Sequence, residues 1–280
     1  MHSLTYRSGS NCQTINLDCL SLRVGQLGPL RGRSWQYTLA AHHAISRTRV
    51  AKEIELELTS QDLDKLTEFI NLADDDFNSQ DDGILTVNGE WFQRVAIPTD
   101  ETNGIYNPRL QQVKLHVILL EGRWRRETLV SVQPVDASAM STTYFDFNVD
   151  YPFDYTLLKD TSTRLNNGSQ VAQPVGITIY GYALNPYITI DRNTYSVDVT
   201  VAEGSRLEID PIQSTVTLID SGGRKTNVAA NAERGTGEGS GKYIFHKIRP
   251  GSKTVSWPNS FSFDLHQYEE RTALPWNSLD

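Results

Sequence analysis

Cysteine, long apolar runs and basic charge are all in short supply in this sequence. Cys12 and Cys19 are the only cysteines in 280 residues, and neither has a Cys or His pair at zinc-like spacing. A zinc framework is therefore excluded; the two read as free thiols in a reducing compartment, with a disulfide closing a short loop as the alternative. The longest apolar run, Val117 to Leu120, is far below the roughly 20 residues of a membrane span, so no membrane insertion is expected. The opening MHSLTYRSGSNC has neither the basic start nor the apolar centre of a secretory signal, which predicts synthesis in a cytoplasm and a soluble product. With 26 basic against 34 acidic residues and a net charge of -8, a nucleic-acid surface is not expected, because Lys and Arg would be needed to neutralise phosphates. Catalytic signatures are missing too: there is no Gly-x-Ser-x-Gly elbow and no His-Glu-x-x-His. The expectation is a protein that is not an enzyme, with no catalytic residue, cofactor or metal to assign.

What is present is alternation. Hydrophobic residues at 38% with charged residues at 21% are enough for packed cores, and the length suits two domains. Ile54, Leu56 and Leu58 alternate with Glu53, Glu55 and Glu57, the pattern of a half-buried strand. Thr59 to Asp62 then supplies capping residues, and Leu63, Leu66, Phe69 and Ile70 fall at helical spacing, which predicts a helix over about residues 60–72. DDDFNSQDDG (Asp74–Gly83) reads as an acidic turn. As a calcium loop it has Ser79 where glycine is required and Leu85 where the twelfth-position Glu belongs, so a solvated loop is the simpler reading. Asn88-Gly89 between apolar runs marks a hairpin, and QQVKLHVILLEGRW a strand ending at the basic knot Arg123, Arg125, Arg126.

From about Val130 short strands and turns recur through VGITIY, YITI, RLEID, STVTLID, KYIFHKI and the stretch to Leu265, the texture of a β-sandwich. The domain boundary is placed near Ser131 to Ala139, giving residues 1–132 and 133–280. His42 and His43 are adjacent, so in a strand they would face opposite ways and could not share an ion. GTGEGSG (Gly235–Gly241) lacks the strand-turn-helix setting of a phosphate cradle and reads as a flexible loop. Trp257, Tyr187, Tyr182 and Tyr243 are the aromatics that could stack on a sugar, although strand aromatics more often fill cores.

The order of the C-terminal half carries a resemblance. Leu207, Ile209 and Asp210 open a strand; Ile248, Pro250 and Gly251 form a turn before a strand ending at Trp257; Glu270, Arg271, Pro275 and Trp276 close the pattern. Together these resemble the distal tail protein family of long-tailed siphophages, and the progression from residue 52 fits more loosely. The resemblance implies a mostly β chain with one short helix: an N-terminal β-barrel-like ring domain followed by a galectin-like β-sandwich. It also implies a homohexameric ring, single or stacked, at the distal tip of a virion tail. Its partners would be the tail tube protein, the tail-tip hub or tail-associated protein and a receptor-binding protein. Architecture would rest on Trp91 and Trp124 in the first domain and on Trp257, Arg271 and Trp276 in the second, with Arg123, Arg125 and Arg126 as inter-subunit or channel-facing contacts. The alternative is a carbohydrate-binding β-sandwich module without catalysis.

Overall fold

A computed structural model of the chain describes residues 3–33, 35–107, 110–134 and 161–275. The chain is mostly β, with one α-helix among the described residues, and divides into two compact units. Unit 1 is Met1–Glu127 together with Glu270–Asp280; unit 2 is Thr128–Glu269. The division at Glu127 lies just before the position expected from the loss of periodicity, and the last residues group with the first unit.

Unit 1 contains β1 (Leu4–Arg7), β2 (Thr14–Asn16), β3 (Leu22–Val24), β4 (Trp35–Leu39), β5 (Ala44–Arg49), β6 (Lys52–Ser60), α1 (Leu63–Ser79), β7 (Gly83–Val87), β8 (Trp91–Asn107) and β9 (Leu110–Leu119). β10 (Trp124–Val132) carries the chain out of it. All pairings are antiparallel, running β8-β7-β1-β2 in one direction and β8-β9-β6-β3 in the other. β2 and β3 are joined at a bridge between Asp18 and Arg23, so the path nearly closes on itself as a barrel-like sheet. Alternation does the sorting: Ile54, Leu56 and Leu58 are buried while Glu53, Glu55 and Glu57 face solvent. Asn88 and Gly89 both have positive φ, as the predicted tight hairpin between β7 and β8 requires.

The helix begins as its sequence predicts, with the Asp62 carboxylate accepting hydrogen bonds from the N–H groups of Asp64 and Lys65. It does not stop at residue 72. The segment read as an acidic turn continues the helix to Ser79, and only then does Gln80, in the left-handed region, close it with the Asp81 N–H bonded to the Asp76 carbonyl. Leu66, Phe69, Leu72 and Ala73 form the buried face, Phe69 edge-on to Tyr6.

Unit 2 is a sandwich. One sheet has the order β19 (Lys225–Asn227), β18 (Thr215–Ile219), β17 (Arg206–Asp210), β12 (Val175–Tyr180), β21 (Phe263–Arg271). The other runs β11 (Thr161–Asn167), β20 (Gly251–Trp257), β14 (Tyr187–Ile190), β15 (Asn193–Ser196). A two-stranded ribbon, β13 (Ala183–Leu184) with β16 (Thr200–Val201), completes it. Ile177, Leu207 and Phe263 from the first sheet join Ile188, Val255 and Trp257 from the second in one core. KYIFHKI is not a strand: its Ile244 and Ile248 are buried, but turns deliver them.

Candidate functional site: an arginine cluster around the returning segment

The arginines of the basic knot acquire partners from far along the chain. Pairing of Arg125 with Phe92 and of Arg126 with Trp91 lays the start of β10 beside the start of β8. Glu270, where the chain re-enters unit 1, then meets them. Its two carboxylate oxygens accept from Arg123 Nη1 at 2.8 and 2.9 Å, and Oε1 also accepts from Arg125 Nε at 3.1 Å. Arg49 Nη1 stands 3.8 Å from Oε2, and Arg125 turns its Nη1 to Glu121. Burial by itself pushes the Glu270 carboxyl up, but the positive charges of Arg123 and Arg125 and their hydrogen bonds outweigh it, holding its pKa below the ordinary value. The Arg49 pKa is also held below its ordinary value, first by burial and then by repulsion from Arg123.

The neighbouring residue extends the arrangement. Arg271 lies 5.5 Å and Arg126 5.2 Å from the ring of Trp91, within cation–π range, while Arg126 Nη1 is 3.7 Å from Glu90. Trp91 and Trp124 are both buried in the unit 1 core, and Leu274 of the returning segment joins that core. Six of the eight residues expected to carry architecture, Trp91, Arg123, Trp124, Arg125, Arg126 and Arg271, thus belong to unit 1, whereas the sequence alone places Arg271 in the second domain. Arg125 is only 4% exposed, and its guanidinium is occupied within its own chain instead of facing a neighbour or a channel. Trp276 lies outside the described residues. Trp257 is 3% exposed and edge-on to Phe263, so it is a core residue and not a sugar platform; Tyr182 and Tyr187 are the exposed aromatics of that group.

A second polar cluster was not anticipated. Asp76 is buried and accepts five hydrogen bonds: from Tyr6 Oη at 2.6 Å, Ser8 Oγ at 2.7 Å, Gly9 N at 3.1 Å, and Ser10 N and Oγ at 2.9 and 2.6 Å. Burial raises its pKa and these donors lower it further than that, leaving it below the ordinary value. Gly83 permits the arrangement, since a Cβ there would sit 2.4 Å from the Tyr6 ring. Neither cluster offers a free acid, base or nucleophile: every carboxylate in them is engaged by cations or hydroxyl and amide donors. Both fasten chain segments to unit 1, one the returning segment and the other the N-terminal loop.

No family model and no curated protein matches the sequence. Among solved structures, a chain of the phage P2 baseplate in its activated conformation with Ca aligns with TM-score 0.60 at 12% identity, over 98% of this chain and 100% of that one. The Sr form of that baseplate gives the same values. A crystal structure of SPP1 Dit (gp 19.1), described as a paradigm of the hub adsorption apparatus in Gram-positive infecting phages, aligns with TM-score 0.49 at 8% identity, over 96% and 99% of the two chains. At 12% identity the likeness to the P2 chains is one of fold. That likeness in fold runs over almost the whole chain.

Proposed function

We propose that this protein is a structural component of a phage tail tip, without catalytic activity, that assembles as a homohexameric ring. Unit 1 forms the ring and unit 2 presents attachment surfaces. The ring, single or stacked, joins the tail tube protein to the tail-tip hub or tail-associated protein and to receptor-binding proteins at the distal end of the virion tail. The single observation that carries this reading is the end-to-end agreement in fold with a P2 baseplate chain. Closure requires a heterologous contact in which one surface of each copy meets a different surface of the next.

Light scattering followed by negative-stain imaging of the purified protein tests the reading. The expected result is a hexamer or a stacked pair of hexamers with a central hole; a stable monomer overturns self-assembly. The second reading, a carbohydrate-binding module, is favoured by one observation, the exposure of Tyr182 and Tyr187 on unit 2. It predicts glycan-array binding that disappears in Tyr187→Ala, which the ring does not require.

A further inference from the structure

The two sheets of unit 2 turn different chemistry to solvent. On the first, carboxylates are present and matched: Arg206 Nε donates to Glu208 and Tyr180 Oη to Asp264, each at 2.7 Å. On the second, the outward positions of β11, β20, β14 and β15 hold no acidic and no aliphatic side chain among the described residues. Alternation produces this, since Leu165, Val255, Ile188 and Tyr195 take the inward positions and the residues between them face out. Register lines up Ser162 with Ser256, Ser256 with Thr189, and Thr189 with Thr194, so four hydroxyls cross all four strands in one row. With strands about 4.8 Å apart, the row is a flat set of rotatable groups that both donate and accept.

Positive charge gathers at one end of this face. Arg164 lies opposite Thr254, one outward position from the row, and the Thr254 carbonyl accepts from the N–H of Asp191. Asp191 and Arg192 form the turn between β14 and β15. Two cations already share the Asp191 carboxylate, Arg249 Nη2 at 2.8 Å and Lys253 Nζ at 3.4 Å. Arg164 and Arg192 are exposed and have no acidic partner among the described residues. Four cations thus stand against one carboxylate, on a chain whose net charge is -8. At the other end of the face Lys242 and Glu233 cancel, 2.9 Å apart. Like charges held together repel, and an arriving anion removes that repulsion. Arginine takes phosphate or carboxylate through paired N–H···O bonds, while Ser and Thr hydroxyls exchange hydrogen bonds with other hydroxyls. Guanidinium beside a hydroxyl row therefore matches a sugar that carries an oxyanion.

We propose that this corner of unit 2 binds an anionic saccharide, a sugar chain bearing phosphate or carboxylate groups, with the oxyanion on Arg164 and Arg192 and the sugar hydroxyls along the row from Ser162 to Thr194. The assignment rests on the reading that unit 2 presents attachment surfaces, and it does not need the ring. Tyr187 lies two residues along β14 from the row and faces the same way, so the aromatic of the sugar-binding reading and the arginines belong to one surface.

The test measures binding of the full-length chain by interferometry to phosphomannan, polygalacturonate, neutral dextran and a thymidine oligonucleotide. Binding to phosphomannan or polygalacturonate is expected, the two separating phosphate from carboxylate. Binding to neither, or equally tight binding to dextran or to the oligonucleotide, overturns the proposal. Arg164→Gln combined with Arg192→Gln is expected to weaken saccharide binding about tenfold without moving the denaturation midpoint, because both side chains are exposed. Asp191→Asn keeps a residue that accepts the left-handed backbone of this turn and releases Arg249 and Lys253, so it is expected to tighten binding several-fold. Wild-type affinity in the double arginine variant overturns the site. If Tyr187→Ala abolishes binding while that variant binds normally, the sugar-binding reading stands and this site is refuted. If the variants behave as expected in a protein that forms no ring, the site stands and the ring is refuted.

Discussion

Unit 1 holds two groups of arginines beside aromatics, and they have opposite fates. Around Glu270, Arg123 and Arg125 are neutralised inside the chain and Trp91 is buried under Arg126 and Arg271. On the β4–β5 hairpin, Arg47 and Tyr37 stand in solvent. Residue type does not separate them. What does is the arrival of a carboxylate: the returning segment brings Glu270 to one group, and no acidic residue lies between Arg31 and Arg49 to serve the other. The first group is therefore an internal fastening, whereas Tyr37 and Arg47 of the second stay exposed.

The comparison predicts that the first group governs stability, and truncation after Glu269 is the harshest way to check. It removes Glu270, Arg271 and Leu274 together. Loss of a buried Leu costs about 2–5 kcal/mol, and stranding Arg125, which is nearly buried, without its carboxylate costs about 3 kcal/mol more. Against a typical total of about 5–15 kcal/mol, unit 1 is expected to lose most of its stability. Urea denaturation followed by the fluorescence of Trp91 and Trp124 reads this; an unshifted midpoint would show that the returning segment fastens nothing.

Asp76→Ala comes next. It leaves the Tyr6 and Ser8 hydroxyls without their acceptor in a buried site, for an expected loss of about 3 kcal/mol; Tyr6→Phe, which removes a single donor, should cost about 1–2 kcal/mol. Equal losses in the two variants would contradict the five-donor arrangement.

Acid acts on both clusters with the same sign. Glu270 and Asp76 have folded pKa values below their ordinary ones, so their contribution is complete above the unfolded carboxylate range of about 4 and is lost as pH falls through the lowered folded values. Stability should be level from neutral pH to about 4.5 and then decline. In Glu270→Gln the neutral-pH stability should be lower and the acid decline shallower, and a decline of unchanged slope would remove Glu270 from the account.

How far the sequence disclosed this depends on the range of the contacts. The β6 alternation, the Asn88-Gly89 hairpin and the Asp62 cap are local patterns with local causes, and each is found where it was expected. α1 was read too short because three successive Asp residues at 74–76 suggest a turn; what keeps Asp76 helical is a set of hydroxyls nearly 70 residues earlier in the chain. The basic knot was visible, but its partner Glu270 is about 145 residues away and was noticed only as part of the closing motif. The β4–β5 hairpin escaped because its turn, Ala40 to His43, has no Asn-Gly signature, and it places His42 and His43 at a loop tip, not in a strand. Its apolar face stays exposed.

That face yields the smallest expected change in stability and the sharpest test of the contrast. Leu39→Glu replaces a side chain that is already 69% exposed, so no buried area is lost and no buried group is unpaired. Surface substitutions of this kind fall within about 0.5 kcal/mol of wild type, and the denaturation midpoint should not move. An unfolded Leu39→Glu protein would instead place this hairpin with the Glu270 cluster, as part of what holds the subunit together.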